Sequence, residues 1–171
     1  MRSPARTTRR ESESSLPAKT LLLLVASLSM FFSIACSFGG SDDGGEPDAW
    51  LEIKGQRISV ELARTAQEQA KGLGGRDALA WNHGMYFEYS TPGFYAFWMK
   101  GMRFSIDIVW LRDGRIVGFE TSIPFEKGGN GPTVRPRELV DAVLEVPAGY
   151  ATASGWGIGD RVRFEATNGN E

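Results

Sequence analysis

The 171-residue chain contains one cysteine, Cys36, and one histidine, His83. A lone Cys has nothing to pair with inside the chain, so no internal disulfide framework is available. Zinc and copper centres draw on several His or Cys ligands, and a Cys–His nucleophile pair needs both residues in the fold. The composition argues against each of these. A Ser-His-Asp triad would have to recruit His83 with a Ser such as Ser90 or Ser105, yet no Gly-x-Ser-x-Gly elbow occurs. The chain also lacks the dense basic patch that marks a nucleic-acid footprint. Asp42 to Asp48 lacks the alternating Asp spacing and distal Glu of a calcium loop. Gly155 to Asp160 has the wrong spacing for a dinucleotide loop and leads into a strand. The sequence therefore predicts no metal and no cofactor.

One apolar run is present, but it is short. Leu21 to Ala35 spans about 15 residues, where a membrane-crossing helix needs roughly 20. Arg2, Arg6, Arg9, Arg10 and Lys19 precede it, giving the charged and apolar regions of a secretory signal. It closes on Ser33-Ile34-Ala35-Cys36, which resembles the lipobox of bacterial lipoproteins, with Ser33 where Leu is usual. That resemblance implies lipidation of Cys36. An uncleaved N-terminal helix and plain secretion are the alternatives. Either tether leaves the domain in the cell envelope on the extracytoplasmic side, in keeping with basic residues ahead of the apolar run. The whole chain holds 19 Lys/Arg and 21 Asp/Glu; five and two of these lie in the first 35 residues, so the remainder carries a net charge of −5.

The expected organisation is a signal or membrane segment over 1–35, a Gly/Ser/Asp linker over 36–49, one domain over 50–165 and a tail over 166–171. About 115 residues suffice for a single core. Leu51 and Ile53, then Ile58, Val60 and Leu62, alternate like two strands about Lys54-Gly55. Thr65-Ala66-Gln67-Glu68 is a capping box for a short helix ending at Gly72. Strands are predicted over 84–89 and 94–99 about Thr91-Pro92-Gly93, and over 104–111 and 116–121 about Asp113-Gly114. Further strands are expected over 139–146 and 161–164, with a short helix from Tyr150. These signals predict a mainly β fold: a small antiparallel sandwich or partly closed barrel with one or two short helices.

Several islands in order resemble the bacterial and archaeal family known as domain of unknown function 192. They are Lys71-Gly72-Leu73-Gly74-Gly75-Arg76, Gly84-Met85-Tyr86-Phe87, Phe97-Trp98-Met99-Lys100 and Ile106-Asp107-Ile108, continued by Asp113-Gly114, Val143-Leu144-Glu145, Ala148-Gly149 and Gly159-Asp160. The resemblance implies a compact, mainly β domain, often behind a signal or membrane segment, and no established activity. The chain departs from it at Gly74, where Met is common, and at Gly101-Met102, where Asn-Thr is common.

Strand alternation sets Asp107 on one face with Val109 and Leu111, where a carboxylate needs a partner. Lys100, a turn's length upstream, is the expected partner. The pair is either a clamp on the turn or the mouth of a ligand pocket. Trp98 shares its strand face with Lys100 and is either core or a platform for a flat ligand. Arg76 either grips an anion or pairs with a neighbour such as Asp77 or Glu88. The loop from Glu126 to Pro132 is long for a compact domain.

The reading that results is a non-catalytic envelope module, tethered to the membrane through its N-terminus. It would bind a small polar molecule, a glycan or a partner envelope protein through Trp98, Lys100, Asp107 and Arg76. The alternatives are an envelope hydrolase or transferase using Asp107 or Glu88 as acid or base, and a structural or assembly accessory.

Overall fold

The computed structural model describes residues 47–167. The signal segment, Cys36 and most of the linker lie outside them. Two hairpins form where the turn residues allow left-handed backbone. Lys54 and Gly55 (φ 52° and 76°) join β1 (Ala49–Ile53) to β2 (Gln56–Ala63), and Asp113 and Gly114 (φ 49° and 66°) join β5 (Ile106–Arg112) to β6 (Arg115–Ile123). The capping box works as predicted: Thr65 Oγ1 accepts from the Glu68 N–H at 3.1 Å, and Glu68 Oε2 accepts from the Thr65 N–H at 2.8 Å. It opens α1 (Ala66–Lys71).

The remaining elements are β3 (His83–Gly93), β4 (Phe97–Trp98), β7 (Thr133–Val134), β8 (Val140–Pro147), α2 (Tyr150–Ala153) and β9 (Val162–Ala166). Seven strands make one sheet in the order β6-β5-β8-β3-β2-β1-β9, while β4 and β7 pair separately. The sheet is mixed, which corrects the antiparallel expectation. β2 and β3 run parallel, because their connection carries α1 and returns the chain to the same end of the sheet. Nor is the sheet closed into a barrel. Its two ends meet at one isolated bridge, Arg115 with Arg161, and a few main-chain bonds beside it rather than a continuous ladder.

Two other expectations change. Thr91-Pro92-Gly93 is not a turn between strands but the irregular end of β3, with a register shift between Glu88 and Gly93. Pro92 has no N–H to give a ladder and is tolerated at such a break. His83 is the first residue of β3. Ala49, placed in the linker by sequence, is fully buried in β1.

Each face of the large sheet covers a core. One holds Leu51, Ile58, Val60, Val109, Leu111, Leu144 and Val146, closed by Tyr150 and Trp156. The other holds Met85, Phe87, Ile106, Ile108, Trp110 and Val143, closed by Leu73, Phe97, Met99 and Met102. β5 and β8 are buried on both faces, which is why they read as nearly continuous apolar runs. The two acids in those runs, Asp107 and Glu145, are thus placed inside the molecule.

Candidate functional site

Asp107 lies on the face predicted for it, beside Val109 and Leu111, and is fully buried. Lys100 does not compensate it. Oδ1 accepts the N–H groups of Ser122 at 2.7 Å and Gly149 at 2.9 Å, and Oδ2 accepts that of Ala151 at 3.0 Å. Gly149 precedes α2 and has no side chain with which to cap it. Asp107 supplies that missing cap from a neighbouring strand, and ties β6 to it as well. Among the described residues no ion pair links Lys100 to Asp107. The pairing inferred from sequence is therefore corrected. Backbone donors replace the ammonium, and a carboxyl group so enclosed has no face to offer a ligand.

Trp98 and Lys100 do come together. Phe97 points inward, packing edge-on against Phe87 (4.9 Å between ring centroids) and Trp110 (5.6 Å). Alternation then turns Trp98 outward, and it is 49% exposed. Met99 turns inward and Lys100 outward. Trp98 and Lys100 line a narrow cleft of about 50 Å³, room for a few heavy atoms, with Gln69, Lys71, Tyr89 and Met102.

At the base of this cleft lies a residue that sequence reasoning did not single out. Glu145 of β8 is 5% exposed, and its Oε2 is buried without a hydrogen-bond partner. It stands opposite Met85 and Ile108 on the neighbouring strands. Loss of solvation raises its pKa to about 8, against a smaller lowering by the Arg76 guanidinium. At neutral pH the group is therefore mainly a neutral carboxylic acid. Tyr89 is pushed up to about 12, first by burial and then by Tyr95 and Glu145; its ring stacks on Tyr95 with 3.6 Å between centroids.

Two glycines shape the approach to Glu145. Gly72 ends α1 at φ 49°, and a Cβ there would lie 3.6 Å from Glu145 Oε2. A side chain there would pack directly against the carboxyl group and the Phe87 ring. A Cβ on Gly74 would sit 2.9 Å from the Lys71 carbonyl oxygen and 3.2 Å from that of Lys100. Glycine lets the α1 end and the Lys100 loop close on one another, and this draws both lysines to one rim.

Arg76 forms a two-bonded pair with Glu61, Nη2 to Oε2 at 2.6 Å and Nη1 to Oε1, a neighbour not among those expected from the sequence. Asp77 instead takes Arg103 at 2.5 Å. Glu88 lies in a second, more open cleft of about 310 Å³ with Tyr86, Ser90 and Asp141. Burial, then the Glu88 and Asp141 charges, push Tyr86 up to about 12. Among the described residues no group of three or more His, Cys, Asp or Glu is gathered to hold a metal ion. Nor is any helix among them long and apolar enough to cross a membrane.

Residues 49–164 match the sequence profile of domain of unknown function 192, described as "Uncharacterized ACR". The chain belongs to this family. Two crystal structures are similar to the domain-of-unknown-function-192 fold seen here, each with a TM-score of 0.61. One is a protein of unknown function from Novosphingobium aromaticivorans DSM 12444, 30% identical over 67% of this chain and 83% of that one. The other, from Sinorhizobium meliloti 1021 and described as a candidate transcription regulator, is 26% identical over 68% of this chain and 92% of that one. Among curated proteins there is no significant match. Of this chain's departures from the domain-of-unknown-function-192 pattern, two bear on the site: Gly74 lets the α1 end and the Lys100 loop approach, and Met102 is buried and lines the cleft.

Proposed function

We propose that this protein is a non-catalytic module of the cell envelope, tethered through its N-terminus with the domain on the extracytoplasmic side. It binds a small polar molecule or the terminal group of a glycan in the cleft above Glu145. The observation that carries the binding reading is the buried Oε2 of Glu145, left without a partner at the base of a cleft rimmed by Trp98 and Lys100. A buried polar atom forgoes about 1–3 kcal/mol when unpaired, so a ligand that supplies the partner gains what the fold has left unmade. The cleft admits one functional group rather than a whole ring, and the exposed indole offers a flat surface for whatever remains outside. The tether rests on the basic and apolar N-terminus and on Cys36, which follows Ser33-Ile34-Ala35.

Both halves are testable on the full chain purified from membranes. Intact-mass measurement is expected to find a chain beginning at Cys36 with an added diacylglyceryl group; a full-length chain with a free thiol rules out the lipid tether. For the cleft, a panel of sugars, sugar acids and amino acids is titrated while indole N–H resonances are followed. Trp98 is assigned by its loss in Trp98→Phe. Shifts confined to Trp98 are expected, and a panel that leaves Trp98 unmoved defeats the reading.

A further inference from the structure

Taking the cleft as the binding site, we propose that the group it accepts is a small carboxylate, such as that of an organic acid or an acidic sugar, held between Glu145 and the Lys71 and Lys100 rim. The charge of the lining decides this. Glu145 is the sole acid among the lining residues, and Lys71 and Lys100 are the cations. With Glu145 protonated the lining carries a formal charge of +2, and with it ionised still +1. A cationic ligand meets net repulsion in both states, whereas an anion is drawn in by both.

Hydrogen bonding points the same way. A protonated carboxyl has one O–H to donate, and among the described residues nothing accepts it at Oε2. An incoming carboxylate oxygen is the acceptor that completes this pair, in a short charge-assisted bond made as the buried carboxyl group turns toward the cleft. The size of the cleft, about 50 Å³, suits a planar three-atom group. The titratable groups near Glu145 leave its protonation as the controlling event. Tyr89, raised to about 12, stays neutral through mildly alkaline pH, and Arg76 stays charged.

The test uses the full chain in detergent, with acetate, acetamide and methylammonium as probes and the Trp98 indole N–H as reporter. Acetate is expected to shift the reporter at pH 6.5. Its apparent affinity should fall about 30-fold by pH 9.5, as the protonated fraction of Glu145 declines. Glu145→Gln keeps an N–H donor and is expected to bind acetate without that fall, while Lys100→Ala weakens acetate several-fold at both pH values. A response to acetamide or methylammonium in place of acetate overturns the carboxylate assignment and leaves the cleft a binding site. An acetate response with the same pH profile in Glu145→Gln as in the parent also overturns it. Silence with all three probes overturns the assignment and, together with an unresponsive Trp98 across the wider panel, the binding reading.

Discussion

Two acids sit almost side by side in the central strands, on opposite faces of one sheet, and they have opposite fates. Asp107 pairs in register with Val146, and Glu145 with Ile108. Both are buried among apolar side chains. Asp107 is met by three backbone N–H groups from two other segments, so its lone pairs are satisfied and its position is fixed. Glu145 meets none at Oε2 and responds by holding its proton. The difference separates two uses of an expensive group. One carboxyl organises the fold from within. The other leaves an interaction open at the foot of a cleft.

The largest effect that would break this contrast is expected at Asp107. Asp107→Asn must turn an amide N–H₂ against at least one backbone donor that now finds an oxygen. It should cost about 3 kcal/mol or more, read as a lowered midpoint in urea unfolding. A midpoint unchanged within error would deny Asp107 its structural role.

Glu145 should behave in the reverse sense. Its pKa is raised in the folded state, so the folded protein keeps a proton that the unfolded chain releases above its ordinary value of 4.5. Stability should therefore be greatest below about pH 4.5 as far as this group is concerned, decline as pH rises, and level off above about pH 8. Glu145→Gln removes the dependence and should raise stability at pH 7 by about 3 kcal/mol. Equal pH slopes for the parent and the variant between pH 5 and 8 would contradict the raised pKa.

A smaller change sharpens the comparison at Gly72. Gly72→Ala imposes a side chain on left-handed backbone, costing about 1–2 kcal/mol, and sets a methyl near Glu145 Oε2. It should weaken ligand binding while leaving Asp107 and the opposite core untouched. Thermal melts and indole titration on the same sample measure both.

Much of the fold was legible. Two hairpins, the capped helix and the alternation along β5 follow from local chemistry, and the family islands divide between core strands (β3, β4, β5 and β8) and the turns that join elements. The parallel pairing of β2 and β3 was not legible, because it depends on where the α1 connection delivers the chain rather than on either strand's residues. At the site, reasoning from a buried charge was sound in kind but chose the wrong compensator for Asp107. Sequence exhibits side chains, and the donors here are main-chain groups brought in from Ser122, Gly149 and Ala151. The same reasoning applied to Val143-Leu144-Glu145-Val146 would have found Glu145, an acid in an otherwise oily strand. Trp98 and Lys100 were found because two-residue alternation was enough to put them on one outward face.

The lone bridge between Arg115 and Arg161 gives the curled sheet a seam. Gly114, Ile116, Gly159 and Val162 stitch it with a handful of main-chain bonds, whereas β5 and β8 lie deep between two oily layers. Local opening of the domain is thus expected first at this seam, ahead of the strands that carry Asp107 and Glu145.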